Sequence, residues 1–411
     1  MNIIKKSPLL QNTSFISLII SRTINSFAFQ MLTIIVGWQM YALTNSPFYL
    51  GLVGLAQFLP MFLLTLVVGY VADHFNRKLI IILSFILEGI CIFVLAFLSY
   101  KGLISKESIL IIMFFIGVAN AFQGPPMQSL LPNVVTKELF PKAAAMSASL
   151  FQFAVIIGPG FGGFLYSLGS YIVYLIIGIL IALSSIFMLF IKVNTEQQIK
   201  TGQVNLKSLL LGISFIKKRP VILGAISLDL FAVLFGGATA LLPVYASTIL
   251  FIGPIGLGVL RSAPAVGALL MSALLAKNPM KSKVGKRMFI AVIIFGLATI
   301  VFAVSKNLPL SIFALFVLGA SDVVSVVIRS TLIQISTPDD MRGRVSSVNL
   351  MFIGTSNQLG EFESGLTASL LGTVPSVLIG GIGTILVVLL WMKLFPQLVN
   401  IDSMEHGSVS A

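Results

Sequence analysis

Gly69 to Lys78 reads GYVADHFNRK, and it gathers Asp73, His74, Arg77 and Lys78 into ten residues. The chain around it is 57% hydrophobic and only 9% charged, whereas an ordinary soluble domain is about a quarter charged. On either side lie apolar segments of about 20 residues, long enough to cross a ~30 Å hydrocarbon core. A charged hinge between two such segments reads as a short loop at a membrane surface.

Working outward, the same alternation runs through all 411 residues, at a mean hydropathy of +1.05. The apolar runs are continuous rather than alternating, which excludes a β-barrel and leaves helices as the spanning elements. The fold class is an all-α polytopic membrane protein. Twelve transmembrane helices are expected, at roughly 14–43, 47–72, 78–99, 107–132, 141–167, 170–192, 220–248, 253–276, 287–305, 308–336, 343–372 and 375–395. The polar stretch NTEQQIKTGQ and the amphipathic LKSLLLGISFIKKRP interrupt them. They divide the chain into a six-helix half (1–192), a linker with an interfacial helix (193–219), a second six-helix half (220–395) and a flexible tail (396–411).

With the N-terminus inside, Lys and Arg crowd the loops on the cytoplasmic side. Only Lys101, Lys106 and Lys306 fall on the other side, and Arg22, Arg261 and Arg329 fall within spans. This bias places both termini in the cytoplasm, so the net charge of +13 reads as topology rather than nucleic-acid binding. One cysteine, Cys91, and two distant histidines, His74 and His406, offer neither a disulfide nor a metal site. No cleavable signal is evident ahead of the first span. A phosphate-binding loop is absent, as is any nucleophile–base set, which argues against a nucleotide motor or an enzyme.

The two halves resemble each other. TKELF (136–140) precedes span 5, as TPDDM (337–341) precedes span 11, and Gly158, Gly162 and Gly163 align with Gly360, Ser364 and Gly365. Such a same-orientation repeat implies pseudo-symmetry about the membrane normal.

The opening stretch can now be placed. Gly69, Asp73, Arg77 and Lys78 resemble the G-x-x-x-D-x-x-x-R-K signature of the major facilitator superfamily, in its expected loop after span 2. GPGFGG, with Gly158, Pro159, Gly162 and Gly163, is similar to the span-5 motif of that superfamily's antiporters. TPDDMRGRVSSVNLMF (337–352), LKSLLLGISFI and LGVLRSAPAVGALL resemble the branch of macrolide-efflux proteins and the enterobactin exporter. The resemblance covers nearly the whole chain. It implies the major facilitator fold, a monomer in the inner membrane of a bacterium, and drug or siderophore export without a cofactor, driven by protons. One departure is that span 4, GVANAFQGPPMQSLLP, lacks the arginine that many drug–proton antiporters carry there.

The resemblance further implies that Asp73 caps the N-terminal end of span 11 near Arg342 to Val345, where an anion gains from unpaired N–H groups. Arg77 and Lys78 would pair with carboxylates such as Glu138, so that the motif latches the two halves. A plain positive loop is the alternative. In span 5 the glycines make a close-packing face and Pro159 a bend.

A charge at mid-bilayer costs about 2.5–3.5 kcal/mol on insertion scales, so charged residues inside spans are candidates for the transport pathway. Arg22 shares a stripe with Asn25, Ser26 and Gln30, lining a cavity or snorkelling to the interface. Asp229 in span 7 and Asp322 in span 10 are candidate proton carriers. The alternative is a structural salt bridge to Arg329, Arg261 or Arg22. In span 11, Asn357, Glu361 and Ser364 form a stripe, with Glu361 facing the pathway and Glu363 pointing away. Glu88 in span 3 reads as structural and paired. Phe29, Trp38 and Tyr245 are candidate cavity aromatics. Three arginines suit an anionic substrate, while the acids and aromatics suit a cationic or apolar one. The expected function is proton-coupled export of a small amphiphile. An importer of a siderophore or nutrient, or a non-transporting sensor or assembly protein, are the alternatives.

Overall fold

The structure, a computed structural model, describes residues 8–192, 206–280 and 282–403. Among these residues every regular element is helical. The helices are α1 (Pro8–Gln11), α2 (Thr13–Thr44), α3 (Pro47–Leu63), α4 (Thr65–His74), α5 (Arg77–Tyr100), α6 (Lys106–Val134), α7 (Phe140–Tyr166), α8 (Ser170–Leu189) and α9 (Leu206–Lys217). Then follow α10 (Pro220–Phe235), a 3-10 segment (Gly237–Leu241), α11 (Leu242–Val244) and a π segment (Tyr245–Ile249). The remainder is α12 (Gly253–Lys277), α13 (Val284–Val304), α14 (Leu308–Ile335), α15 (Asp339–Leu371), α16 (Thr373–Leu394) and α17 (Pro396–Val399).

Among the described residues, ten helical segments are long and apolar enough to cross a membrane, with Pro220–Ile249 taken as one. Two further spans escape that criterion for visible reasons. Span 2 is divided at Leu64 into α3 and α4, so neither piece is long enough. Span 11, α15, is long but carries too many polar residues. With these two, the described residues hold twelve transmembrane helices. Their surfaces confirm the solvent. On α5, Ile81, Phe85, Ile92 and Leu95 are buried, while Leu83, Ile86, Ile90 and Phe97 on the other side are exposed. A helix apolar all round belongs in lipid.

Local chemistry sets the ends of these helices. Asn76 caps α5, its side chain accepting from the N–H groups of Lys78 and Leu79. Ser105 and Ser108 form a reciprocal capping box at α6. Asn307 accepts from the Leu310 N–H at α14. The turns from α7 to α8 and from α15 to α16 use Gly169 (φ 111°) and Gly372 (φ 93°), left-handed positions that glycine adopts without a steric penalty.

The chain forms two compact units. Of the described residues, 8–44 and 56–192 make the first, and 45–55 with 206–280 and 282–403 make the second. The division falls inside α3, whose first half belongs with the second unit.

In the first unit α2 packs against α7 and α8, and α5 lies against α6 and α8. Ser21 and Ser184 donate to each other's backbone carbonyls, at 2.8 and 3.1 Å, which fastens α2 to α8. The Tyr174 hydroxyl donates to Gln39 at 2.6 Å. In the second unit α14 packs against α12 and α13, and α15 against α10, the 3-10 segment and α9. Ile216 of α9 is buried in a cluster with Ile222, Ile226, Ile333, Val345 and Val348.

The tail begins differently from expectation. Pro396–Val399 is helical, and Leu398 and Ile401 are buried. The carbonyls of Ile401 and Asp402 accept from the N–H groups of Gly285 and Val284, and the Asp402 carboxylate accepts from the Lys283 N–H at 3.0 Å. The unpaired N–H groups at the start of α13 supply the reason. Residues 404–411 lie outside the described residues, as do 193–205 of the linker.

Candidate substrate pathway

On α2, Arg22, Asn25, Ser26 and Gln30 fall on one side and are all partly buried. Close approach of α7 fixes this stripe. A Cβ placed on Gly158 would lie 2.7 Å from Gln30 Cβ, and one on Gly162 would lie 3.0 Å from Met31 Cα. The GPGFGG glycines therefore seat α7 directly on α2, and α7 stays helical through Pro159. The repeat is visible in the same terms. A Cβ on Gly360 of α15 would lie 2.9 Å from the Val233 carbonyl of α10, so span 11 sits on span 7 as span 5 sits on span 1.

In the second unit Asp229 and Arg329 form a buried ion pair between α10 and α14. Of the alternatives for Asp229, the structure brings the salt bridge. Asp322, on the same helix as Arg329, is partly buried and makes no hydrogen bond or ion pair among the described residues. Arg261 on α12 donates to the Thr239 carbonyl at 3.3 Å, which also accepts from the Leu242 N–H. Arg261 also attracts Glu361 on α15. Glu361 lies against α3, its Oε2 being 2.8 Å from a Cβ built on Gly54. Glu363 faces elsewhere, and its backbone carbonyl accepts from the Thr367 hydroxyl at 2.9 Å. Asn357 is exposed.

The opening motif has local roles. The Lys78 ammonium donates to the Leu189 and Ile191 carbonyls at 2.7 and 2.9 Å, rather than to a carboxylate. The carbonyls at the end of α8 have no helical partners, and a cation is favoured there. Arg77 Nε donates to the Ala72 carbonyl at 3.5 Å. Glu138, in the loop before α7, is held below the usual carboxylate range by its own backbone N–H and by the Thr136 hydroxyl. His74 stacks on Tyr70 with ring centroids 4.1 Å apart. The Asp73 side chain, and with it the cap on span 11, lies outside the described residues.

Two expectations change. Glu88, read as paired, is buried with both carboxyl oxygens lacking a partner among the described residues. The α5 face around it is apolar, with Gly89 against Ile181 of α8. Tyr245 is fully buried, its hydroxyl donating to the Ala303 carbonyl at 3.0 Å and its ring against Phe302, so it is core. Trp38 meets Tyr166 edge-on at 6.4 Å. Sequence reasoning passed over Gln123 and Gln358, each with a buried side-chain atom that finds no partner among the described residues. An amide inside an apolar span is the signal that would have found them.

The comparisons agree with this geometry. The sequence matches the family model of the Major Facilitator Superfamily over residues 18–361. It is 24% identical over 393 residues to the enterobactin exporter EntS of Citrobacter koseri, covering 94% of this chain and 92% of that protein. A shorter match, 32% over 125 residues, is to the uncharacterized MFS-type transporter YkuC of Bacillus subtilis, covering 30% of this chain and 28% of that one. Among solved structures, the fold is similar to a bacterial homologue of the human lysosomal transporter Spinster (TM-score 0.74, 14% identity, 95% of this chain and 97% of that chain). It is also similar to a mutant of the nucleoside transporter NupG (TM-score 0.72, 16% identity, 93% of this chain and 99% of that chain). Two helical units with a repeated packing scheme, twelve spans and a family match over most of the sequence lead to one assignment: this integral membrane protein is a transporter and belongs to the Major Facilitator Superfamily.

Proposed function

We propose that this transporter exports a small amphiphilic molecule, a siderophore or drug-like compound, by proton-coupled alternating access in the inner membrane of a bacterium. Both termini would lie in the cytoplasm, with the chain acting as a monomer. The observation that carries the reading is Asp322, a carboxyl inside span 10 without a protein partner among the described residues, while Asp229 is committed to Arg329. An intramembrane acid without a counter-ion is suited to taking up and releasing a proton as access alternates. Glu361, which shares Arg261 with the Thr239 carbonyl, is the second candidate. The end-to-end similarity to enterobactin exporters supports the substrate class and the direction.

The test is an untargeted mass-spectrometric comparison of cells and spent medium with and without the gene, in iron-replete and iron-limited culture. A compound retained in deleted cells and missing from their medium supports export. A compound left in the medium by deleted cells means import and overturns the direction.

A further inference from the structure

The three arginines inside the spans differ in what they face. Arg329 is neutralised by Asp229. Arg261 is held by the Thr239 carbonyl and attracted by Glu361. Arg22, in the other unit, has no hydrogen bond or ion pair among the described residues, and it is partly withdrawn from solvent. It lies nine residues into α2 from Thr13, about 14 Å along the helix axis. Its backbone is fixed on both sides. The adjoining Ser21 is locked to Ser184 of α8, and about two turns further on Gln30 is seated against Gly158 of α7. One turn from Arg22, the Asn25 Oδ1 is also buried without a donor among the described residues.

An unpaired guanidinium in a span costs several kcal/mol unless something compensates it. A guanidinium is also the side chain best matched to a planar anionic oxygen pair. We infer that Arg22 is the anion-recognition point of the substrate site, and that the transported amphiphile carries a carboxylate or an equivalent oxyanion. This rests on the transporter reading and adds the charge of the substrate to it.

The test uses one apolar body in three charge states: 1-naphthoate, its methyl ester and 1-naphthylmethylamine. Binding to the full-length protein in lipid nanodiscs is read by thermal shift and by isothermal titration. The wild type should bind the acid about tenfold or more tightly than the ester. Arg22→Gln should abolish that preference, and Arg22→Lys should keep part of it. Equal binding of acid and ester by the wild type overturns the inference, as does an undiminished preference in a monodisperse Arg22→Gln protein. Proton-driven flux in everted vesicles separates the two ideas. Acid preference without any flux supports the anion site and sinks the exporter reading. Flux of the amine but not of the acid sinks the anion site and leaves the transporter standing.

Discussion

The Arg329 guanidinium and the Asp229 carboxylate are paired between α14 and α10, both almost wholly withdrawn from solvent. Each makes the other tolerable, so single and double substitutions should differ in kind. Removing one partner strands a buried charge and costs about 3–5 kcal/mol, while replacing both by apolar residues of similar size is near neutral. Arg329→Met alone should therefore lower the unfolding temperature in detergent far more than Asp229→Leu combined with Arg329→Met. Equal loss in both would mean that the pair is not a unit.

Asp322 should behave differently from Asp229. It has no counter-ion among the described residues, so Asp322→Asn removes a titratable group without stranding a charge. The expected phenotype is a folded, inserted protein whose transport no longer responds to a pH gradient in everted vesicles. A fully retained response would remove Asp322 as the proton carrier and leave Glu361 to be tested by the same assay.

The glycines of α7 give a graded prediction. At Gly158 a methyl group would sit 2.7 Å from Gln30 Cβ, and overpacking of this kind costs about 1–3 kcal/mol. At Gly124 of α6 an added Cβ meets nothing within 4 Å, and alanine in a helix interior gains about 0.5–1 kcal/mol over glycine. Gly158→Ala should thus lower thermal stability and Gly124→Ala should not. The comparison is a pair of unfolding curves.

Lys78 closes the end of α8 by donating to two carbonyls. A cation at a helix C-terminus is worth about 0.3–1 kcal/mol. Lys78→Gln should weaken amide-exchange protection at residues 189–191 while leaving α5, whose cap is Asn76, unaffected. Protection lost equally at both sites would show that the motif acts by another route.

Much of this architecture could be read from sequence, because hydrophobic length is a one-dimensional property. The spans and the GPGFGG packing face follow from run lengths and residue size. Gly158 and Gly162 do seat a neighbouring helix, and their counterpart Gly360 does the same on α10. Partner choice was less legible. Asp229, Arg261 and Arg329 could pair in several ways until the helices are placed, since charge attraction has no register in sequence. Lys78 was expected on a carboxylate, yet carbonyls at a helix end carry partial negative charge that no residue letter records. The tail was read as loose because it is polar, although Leu398 and Ile401 were there to anchor it. Glu88 shows the converse, an acid for which the usual expectation of a partner fails among the described residues.

The division of α3 bears on how the chain is made. Residues 45–55 leave the ribosome well before the surfaces they cover, at Glu361, Phe362 and Gly365. The second unit can therefore be completed only once α15 has been synthesised, by a segment already in the membrane. Expressed from a separate gene beginning at the linker, the C-terminal fragment would lack part of its own fold, and complementation would require the amino-terminal fragment to be present while α15 is inserting.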